Sequence, residues 1–486
     1  MTTRAITLPF LSVVAILVLA LVASAQASAP FLVSTYHPTS YPYPWNEGFV
    51  ENVALSGDYA YVSVMGEYTW ITDLRVVSVA NKSAPLEVGR YQSGNRISDL
   101  AVVGNYAYLV FGFMSQGVGL QIVDISNPQV PTLTGNLYLS EDLWAVDVAY
   151  PYAYVGSSNA LRIINVSNPT DPVLVKIYST TYPINDIVVK DNYAYIAGGT
   201  SGLRIINVAN PSNPTEVGSY DTPGDSVDIA ISGSYAYVAD KQKGLRIIDV
   251  SDPTDPIEVG HYTTSWAIGV ATSGNYAYVS DYYGGLYIFN VTDPANPVQV
   301  GYYSTRANNV AVSGFYVYVT TVAAGYGMPI LWFAPPASAS IPTNGGSFTS
   351  GADHTTYTFS AGAFTDTVVI THTPHYAGSV PSPGNLMGIG HFFDVTAVYS
   401  STSQPALLVP GQTYTLTVHY TDAEKGPAIE NTLALYYWDG SQWVEEPSSE
   451  VNTAANTVTA YPNHFSLWAV LGETKRIYLP LVLRGH

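Results

Sequence analysis

An aromatic–small–aromatic triplet recurs seven times in the first two thirds of this chain. The first copy is Tyr59-Ala60-Tyr61, the last is Tyr316-Val317-Tyr318, and successive copies are 47, 46, 41, 42, 41 and 40 residues apart. A period near 42 residues that is built from short β-strands is typical of propeller blades. The repeat therefore predicts an all-β fold with a seven-bladed β-propeller.

Each repeat contains four predicted strands separated by turn residues. In the fifth unit these strands are residues 227–231, 235–239, 245–250 and 257–262, and the breaks between them carry Gly, Pro or Asp. Two incomplete units complement each other. Residues 31–36 match a fourth strand without the first three, whereas the seventh unit ends after its third strand. We expect residues 31–36 to complete the seventh blade and to close the ring, which removes exposed sheet edges.

The third strands have a characteristic sequence. Leu120-Gln121-Ile122-Val123-Asp124, Leu161-Arg162-Ile163-Ile164-Asn165 and Leu245-Arg246-Ile247-Ile248-Asp249 resemble the LVIVD repeat family of bacterial and archaeal surface proteins. The resemblance covers roughly residues 31–335. It implies a β-propeller and a location at the cell surface, and it brings no catalytic residues, because the family is defined by the sequence of its strands.

Length and composition indicate more than one domain and restrict the partners. The chain has 486 residues, more than one hydrophobic core usually organises. Its net charge of −19 argues against nucleic acid, because there is no cationic surplus to displace counterions from phosphates. There is no cysteine, which excludes disulfides and thiolate metal sites.

The N-terminus predicts a secretory signal peptide at residues 1–27. Arg4 precedes an apolar run at 11–23, and Ala25-Gln26-Ala27 offers small residues for cleavage. A retained membrane anchor is the alternative, but it needs about 20 apolar residues. We therefore expect a secreted or cell-surface protein with no transmembrane span after signal cleavage.

Charged residues recur inside the predicted blades. Because a partly buried charge needs a partner, we predict structural arginine–carboxylate contacts within or between blades. Their members are Asp147, Arg162, Asp186, Arg204, Asp228 and Arg246. The alternative is functional: Asp99, Asp147, Asp186 and Asp228 would form a cation site at the mouth of the central channel.

One face of the propeller is predicted to bind a ligand. The loops that enter each first strand, and those that join second to third strands, vary between repeats, and variable loops on a rigid scaffold are the usual place for recognition. The candidate residues are Trp45, Trp70, Arg96, Trp144, Tyr182, Asp240, Trp266, Asp281, Tyr282 and Arg306. Rings mixed with carboxylates suit a protein, peptide or glycan, although some of these rings also suit a purely structural role over strand ends.

No sequence motif of a known catalytic site is present. The chain lacks Gly-x-Ser-x-Gly, His-Glu-x-x-His and a phosphate-binding loop, so we predict no catalytic residue, no bound metal and no cofactor. The acidic pair Glu141/Asp142 keeps a glycosidase as an alternative. The alternatives to a binding scaffold are therefore a purely structural component of an envelope or surface layer and, second, a polysaccharide hydrolase or lyase on the propeller scaffold.

The composition changes after the propeller, which we place at residues 30–335. Residues 336–352 are rich in Pro, Ala, Ser and Gly and predict a linker. Seven alternating runs in residues 353–473 predict an immunoglobulin-like β-sandwich. Residues 474–486 form a C-terminal tail. His372, His375 and His391 suggest a metal site as an alternative in this domain, but we predict none.

Overall fold

Seven four-stranded antiparallel sheets follow one another in the computed structural model, which describes residues 30–38, 49–65, 72–112, 119–139, 141–321, 327–351 and 353–474. The predicted signal peptide and residues 475–486 of the predicted tail lie outside these ranges. Blade 1 contains β2 (Phe49–Ser56), β3 (Tyr59–Met65), β4 (Thr72–Ser78) and β5 (Leu86–Gln92). Blade 2 contains β6 (Ile97–Val103), β7 (Tyr106–Phe111), β8 (Gly119–Asp124) and β9 (Thr132–Tyr138). Blade 3 contains β10 (Leu143–Ala149), β11 (Tyr152–Ser157), β12 (Ala160–Asn165) and β13 (Val173–Ser179).

The remaining blades follow the same order. Blade 4 contains β14 (Asp186–Lys190), β15 (Tyr193–Ala197), β16 (Leu203–Asn207) and β17 (Thr215–Tyr220). Blade 5 contains β18 (Asp228–Ser232), β19 (Tyr235–Ala239), β20 (Leu245–Asp249) and β21 (Ile257–Tyr262). Blade 6 contains β22 (Ala267–Ser273), β23 (Tyr276–Asp281), β24 (Gly285–Asn290) and β25 (Val298–Tyr303). Blade 7 contains β26 (Ala307–Ser313), β27 (Tyr316–Thr321), β28 (Met328–Trp332) and β1 (Phe31–Tyr36).

The closure of the ring is as predicted. β1 pairs antiparallel with β28, with Phe31 opposite Trp332 and Tyr36 opposite Met328. The Tyr36 hydroxyl donates a hydrogen bond of 2.6 Å to Glu87 Oε2 in blade 1. The first strand of the chain therefore completes the last blade and also contacts the first one.

Neighbouring blades pack through small residues on one side and rings on the other. Tyr195 of blade 4 lies in one buried cluster with Ala236 and Val238 of blade 5. Farther from the ring axis, four of the fourth strands (β5, β9, β17 and β21) contain a glycine that faces the backbone of the next blade. A Cβ on Gly218 of β17, for example, would lie only 2.1 Å from the Pro253 carbonyl oxygen. The fourth-strand glycines thus permit backbone contact between blades, and the alanines of the second strands make room for tyrosine rings.

The C-terminal domain is a β-sandwich of two packed sheets. One sheet has the order β29 (Ala337–Ile341), β32 (Val368–Pro374), β33 (Met387–Tyr399), β39 (Leu467–Gly472), β35 (Ala434–Trp438), β36 (Trp443–Glu445). The other has the order β30 (Gly346–Thr349), β31 (Thr356–Phe359), β34 (Tyr414–His419), β38 (Thr457–Ala460), β37 (Glu450–Asn452). A short helix, α1 (Asp422–Lys425), and the 3₁₀ turns Ala377–Ser379 and Glu430–Thr432 complete the domain.

Residues of both sheets share one core that includes Tyr357, Phe393, Leu416 and Trp468. The structure corrects the predicted linker at 336–352, because this segment contains β29 and β30, each an edge strand of one sheet. Its Ser and Gly content suits exposed edge strands as well as it suits a linker. No helix in the described ranges has the length and hydrophobicity needed to cross a membrane.

Candidate functional site

The first strands of the seven blades surround a central tunnel. Each of β2, β6, β10, β14, β18, β22 and β26 contacts the next, and β26 contacts β2. Alternate residues of these strands face the axis, so the side chains form successive rings. The ring at the mouth, on the side of the variable loops, contains Asn52, Asp99, Ala145, Asp186, Asp228, Gly269 and Asn309. The ring below it contains Ala54, Ala101, Asp147, Val188, Ala230, Ala271 and Ala311.

Asp147 therefore lies one ring deeper than the other three aspartates. Asp99, Asp186 and Asp228 each precede the first tyrosine of the second strand by seven residues, whereas Asp147 precedes Tyr152 by five. A side chain two residues farther along a strand lies on the same face of the sheet but is displaced by about 7 Å along the strand. The alternative of one ring of four aspartates is thereby corrected to three at the mouth and one below.

A cavity of about 320 Å³ occupies the mouth of the tunnel. Its lining residues are Asn52, Ser98, Asp99, Trp144, Asn185, Asp186, Val227, Asp228, Ile268, Asn308 and Asn309. Trp144 is 37% exposed. The mouth thus combines one accessible indole with carboxyl and amide groups, the mixture that binds polar ligands with an apolar face.

The aspartates of the tunnel link neighbouring blades through backbone hydrogen bonds. Val146 N–H donates to Asp99 Oδ2 at 2.8 Å, and Val270 N–H donates to Asp228 Oδ2 at 2.6 Å. Asp147 accepts from Val189 N–H, and Asp186 accepts from Ile229 N–H. Each carboxylate therefore bridges from its own blade to the next one.

Amides and hydroxyls make the remaining links around the tunnel. Asn52 Nδ2 donates to the Ser98 carbonyl at 3.0 Å, and Asn308 Nδ2 donates to the Glu51 carbonyl at 2.8 Å. Ser280 Oγ donates to the Asn308 carbonyl at 2.9 Å. Together with the aspartates, these bonds give every one of the seven blade junctions a polar link beside the tunnel.

The arginines of the third strands bind partners other than the predicted aspartates. Arg246 forms two hydrogen bonds with Glu258, and Arg162 forms an ion pair with Glu141. Arg204 pairs with Asp221 and lies 3.6 Å from Glu216. The predicted contacts of these arginines with Asp147, Asp186 and Asp228 are wrong. The second strand lies between the first and the third, so the side chains are separated by about 10 Å, whereas the fourth-strand glutamates lie in the adjacent strand.

Burial changes the protonation of the tunnel aspartates. Burial, together with the nearby Asp186 carboxyl, raises the pKa of Asp99 to about 8. Burial and the neighbouring Asp228 raise the pKa of Asp186 well above its ordinary value, and burial also raises the pKa of Asp147 and of Asp228. The interaction between the two carboxyls raises the pKa of Asp186 and opposes the rise in the pKa of Asp228.

Three aromatic side chains cluster on the same face, at blades 5 and 6. The Tyr283 ring lies 6.1 Å from Trp266 and 4.9 Å from Tyr282, and it is 65% exposed. Lys241 Nζ lies 5.8 Å from the centre of the Trp266 ring and pairs with Asp225. The structure therefore brings the predicted Trp266 and Tyr282 together in an aromatic patch with a cation above one ring.

Several other candidates have structural roles. Asp281 is buried and accepts hydrogen bonds from the N–H groups of Trp266, Tyr283 and Gly284. Asp240 is buried and accepts from Thr222 Oγ1, and buried Tyr182 donates to Glu216. These three predictions of ligand-facing groups are corrected, because the side chains hold loops in place beneath the surface.

Arg96 and Arg306 lie elsewhere on the loops. Arg96 forms an ion pair of 2.8 Å with Glu51 across blades 1 and 2, and Arg306 is exposed just before β26. Trp45 and Trp70 lie outside the described residues. Sequence reasoning missed Asn185 and Asn308, which line the mouth. The sequence could have indicated them by their position, because each directly precedes a residue of the mouth ring.

Three histidines of the sandwich lie beside carboxylates. His372 Nε2 lies 3.2 Å from Asp353 Oδ2, and His391 Nδ1 lies 3.7 Å from the same oxygen. Although burial lowers it, contacts with Asp353 and Glu424 raise the pKa of His391 to about 9. His375 contacts Asp394 instead. In the described ranges no three His, Asp or Glu side chains are arranged as metal ligands.

Comparison with known proteins gives the same architecture. A family model described as LVIVD repeat matches residues 47–93, 95–138, 142–180, 184–222, 223–264, 266–305 and 306–325. No curated protein matches the chain. The β-propeller domain of Cps50 (Swd1) from Myceliophteria thermophila is similar, with a TM-score of 0.51 and 12% identity over 63% of this chain and 100% of that one. The computationally designed protein Ika8 is similar with a TM-score of 0.43 and 8% identity, over 59% of this chain and 96% of that one.

Proposed function

Because this chain belongs to the LVIVD repeat family, we propose that it is a secreted or cell-surface, non-enzymatic binding scaffold that recognises a protein, peptide or glycan. The ligand binds on the variable-loop face of the propeller. The observation that carries the proposal is the mouth of the tunnel, where exposed Trp144 stands beside amide and carboxyl groups in a cavity of about 320 Å³.

The aromatic patch on the same face supports the proposal. Trp266, Tyr282 and Tyr283 present large rings at the surface of rigid loops, and such rings supply contact area at a low cost in conformational entropy. The opposite ends of the blades repeat similar Asn-Pro or Asp-Pro turns. Recognition is therefore expected on the variable face.

The test is a glycan and peptide array probed with the mature protein, its Trp144→Ala variant and its Tyr283→Ala variant. Tyr461→Ala is the matched control, because Tyr461 is an exposed ring between β38 and β39 of the sandwich and lies outside the variable-loop face. We expect a ligand whose binding is weakened about tenfold or more by one of the first two changes and not by the control. Absence of any array binding, or equal binding by all variants, contradicts the proposal and favours a structural surface component.

The non-enzymatic part has its own test. Polysaccharide hydrolysis by the purified protein that is lost in Glu141→Gln, without loss of folding, would establish a glycosidase instead. Glu141 forms an ion pair with Arg162, so its side chain already has a structural partner. We expect no turnover in the parent protein.

A further inference from the structure

A second cavity lies on the other face of the propeller, where blades 6 and 7 meet the start of the sandwich. Its volume is about 670 Å³, roughly twice that of the tunnel mouth. The walls are Tyr276, Tyr278, Phe315 and Phe333 of the propeller and Pro335, Pro336 and Ala337 of the segment that enters the sandwich. We refer to it as the interdomain groove. Clefts of this size between domains are common ligand sites.

The groove is an enlarged form of a feature that recurs between blades. The equivalent groove between blades 4 and 5 is lined by Tyr193, Tyr195, Gly233, Ser234 and Val250, among others, and its volume is about 280 Å³. Among the positions that differ, two add aromatic rings to the groove of blades 6 and 7. Phe315 occupies the place of Ser234, and Phe333 occupies the place of Val250.

A shared backbone hydrogen bond shows that these positions are equivalent in all seven blades. Val250 N–H donates to the Ser234 carbonyl, and Phe333 N–H donates to the Phe315 carbonyl, both at 2.8 Å. The turn residue in the other blades is Asp58, Asn105, Pro151, Asn192, Ser234 or Asn275, and the strand residue is always Val or Ile. Blade 7 alone is aromatic at both places, and both rings line the same groove.

Turn chemistry does not account for Phe315. Asn, Asp, Ser and Pro suit such a turn because they stabilise its backbone, whereas phenylalanine does not. Phe315 is only half-buried, with its ring 6.1 Å from Trp332. Phe333, by contrast, is buried and lies 5.9 Å from Tyr276 and 6.2 Å from Tyr278 in edge-to-face contacts. Phe333 therefore forms part of the buried wall of the groove, and the Phe315 ring is partly exposed at the edge of the groove.

The polar groups of the groove are uncharged. Ser273, Asn275, Thr292 and Ser338 contribute hydroxyl and amide groups, and none of the lining residues that the structure describes carries a formal charge at neutral pH. The smaller groove between blades 4 and 5, by contrast, includes Lys190 and Asp191. Although the chain has a net charge of −19, the uncharged lining of this groove gives it no electrostatic preference for a charged ligand. It suits a neutral ligand with apolar ring faces and dispersed hydroxyl groups.

We infer that the interdomain groove is a second binding site, and that its ligand is a neutral oligosaccharide that stacks on Phe315 and Tyr276. The site is separate from the tunnel mouth. The groove contacts the end of β22 at Ser273, whereas the mouth contacts the same strand near its start at Ile268. The two sites therefore lie at opposite ends of the blades.

The test titrates the mature protein with neutral tetrasaccharides of glucose, xylose and N-acetylglucosamine. A galacturonic acid tetrasaccharide and an uncharged proline-rich peptide are added as competing ligand classes. Binding is measured by calorimetry and by the fluorescence of tryptophan, since Trp332 lies beside Phe315. The variant is Phe315→Asn, which places at this turn the residue that blades 2, 4 and 6 already have and should therefore fold.

We expect a neutral tetrasaccharide to bind the parent protein and to bind Phe315→Asn about tenfold more weakly, at an unchanged melting temperature. The control Tyr283→Asn removes an exposed ring on the variable face and should leave this binding unchanged. The inference is overturned if no neutral tetrasaccharide binds, if Phe315→Asn binds equally well, or if only the acidic sugar or the peptide binds. Because Tyr283→Asn addresses the other face, failure here is distinguishable from failure of the proposed function.

Discussion

The tunnel mouth should make the stability of the propeller depend on pH, and Asp99 is the residue that tests this. In the folded protein the pKa of Asp99 is raised to about 8, whereas its ordinary value is 3.8. Between these values the folded chain keeps a proton that the unfolded chain has released. The free energy of unfolding therefore falls as pH rises through this window, by about 1.4 kcal/mol per pH unit for each proton retained.

The full shift would amount to roughly 6 kcal/mol, and the raised pKa already includes the opposing effect of the hydrogen bonds that Asp99 accepts from Val146 and Leu100. Asp99 also lines a cavity that is open to water, and solvent there screens the carboxylate and reduces the free-energy effect. We expect a loss of about 1–2 kcal/mol from Asp99 between pH 5 and pH 8. Asp147, Asp186 and Asp228 act in the same direction, because burial raises the pKa of each.

The assay is urea unfolding at pH 5, 6, 7 and 8 for the parent, Asp99→Asn and Asp255→Asn. Asparagine fits this ring, since Asn52 and Asn309 occupy it in blades 1 and 7, although it loses one acceptor oxygen for the backbone. Asp99→Asn should therefore be less stable than the parent at pH 5 and should show a shallower decline towards pH 8. Asp255 is exposed, so its variant should follow the parent. A parent stability that is flat or rises over this range would refute the reasoning, as would an unchanged slope in Asp99→Asn.

Two further predictions concern the packing of the ring. Deletion of residues 31–36 should lower the melting temperature by at least about 5 °C, because it exposes β28 and removes buried Tyr36, and a peptide of residues 30–37 added in trans should restore part of the loss. A deletion variant that melts like the parent would contradict the closure. Gly218→Ala should cost about 1–3 kcal/mol in urea unfolding, since the new Cβ would lie 2.1 Å from the Pro253 carbonyl oxygen. Gly351→Ala, where a Cβ meets nothing within 4 Å, is its control, and equal midpoints for the two variants would show that the blades separate easily.

The propeller fold was predictable because the local strand and turn patterns agree with the repeat period of about 42 residues. Alternation, turn residues and the spacing of the tyrosine triplets define each blade, and the incomplete units at 31–36 and after Trp332 reveal the closure. The eleven-stranded sandwich was predicted only in outline. Of its strands, β29 and β30 lie in the Ser- and Gly-rich segment, and their pairing depends on the partner sheets rather than on their own propensity.

The partners of the charged groups were less predictable. The sequence places arginine and aspartate in the same blades, but the order of strands in a sheet puts the third strand next to the fourth, so Arg246 binds Glu258 and not Asp228. The depth of Asp147 follows from its shorter distance to Tyr152, a signal that is present in the sequence. The burial of Asp240, Tyr182 and Asp281 is a property of how loops fold back, which residue type alone does not encode.

The pairing of β1 with β28 has a mechanical consequence. Phe31 lies opposite Trp332, so the chain enters and leaves the seventh blade at the same end of this antiparallel pair. Tension applied between the amino end and the sandwich would therefore peel the two strands apart one hydrogen bond at a time instead of shearing them all at once. Tyr376 of the sandwich stacks on Phe31 at 5.0 Å and lies 6.3 Å from Trp332, at the point where such peeling would start. The sandwich therefore covers the end of the β1–β28 pair at which the two strands would begin to separate.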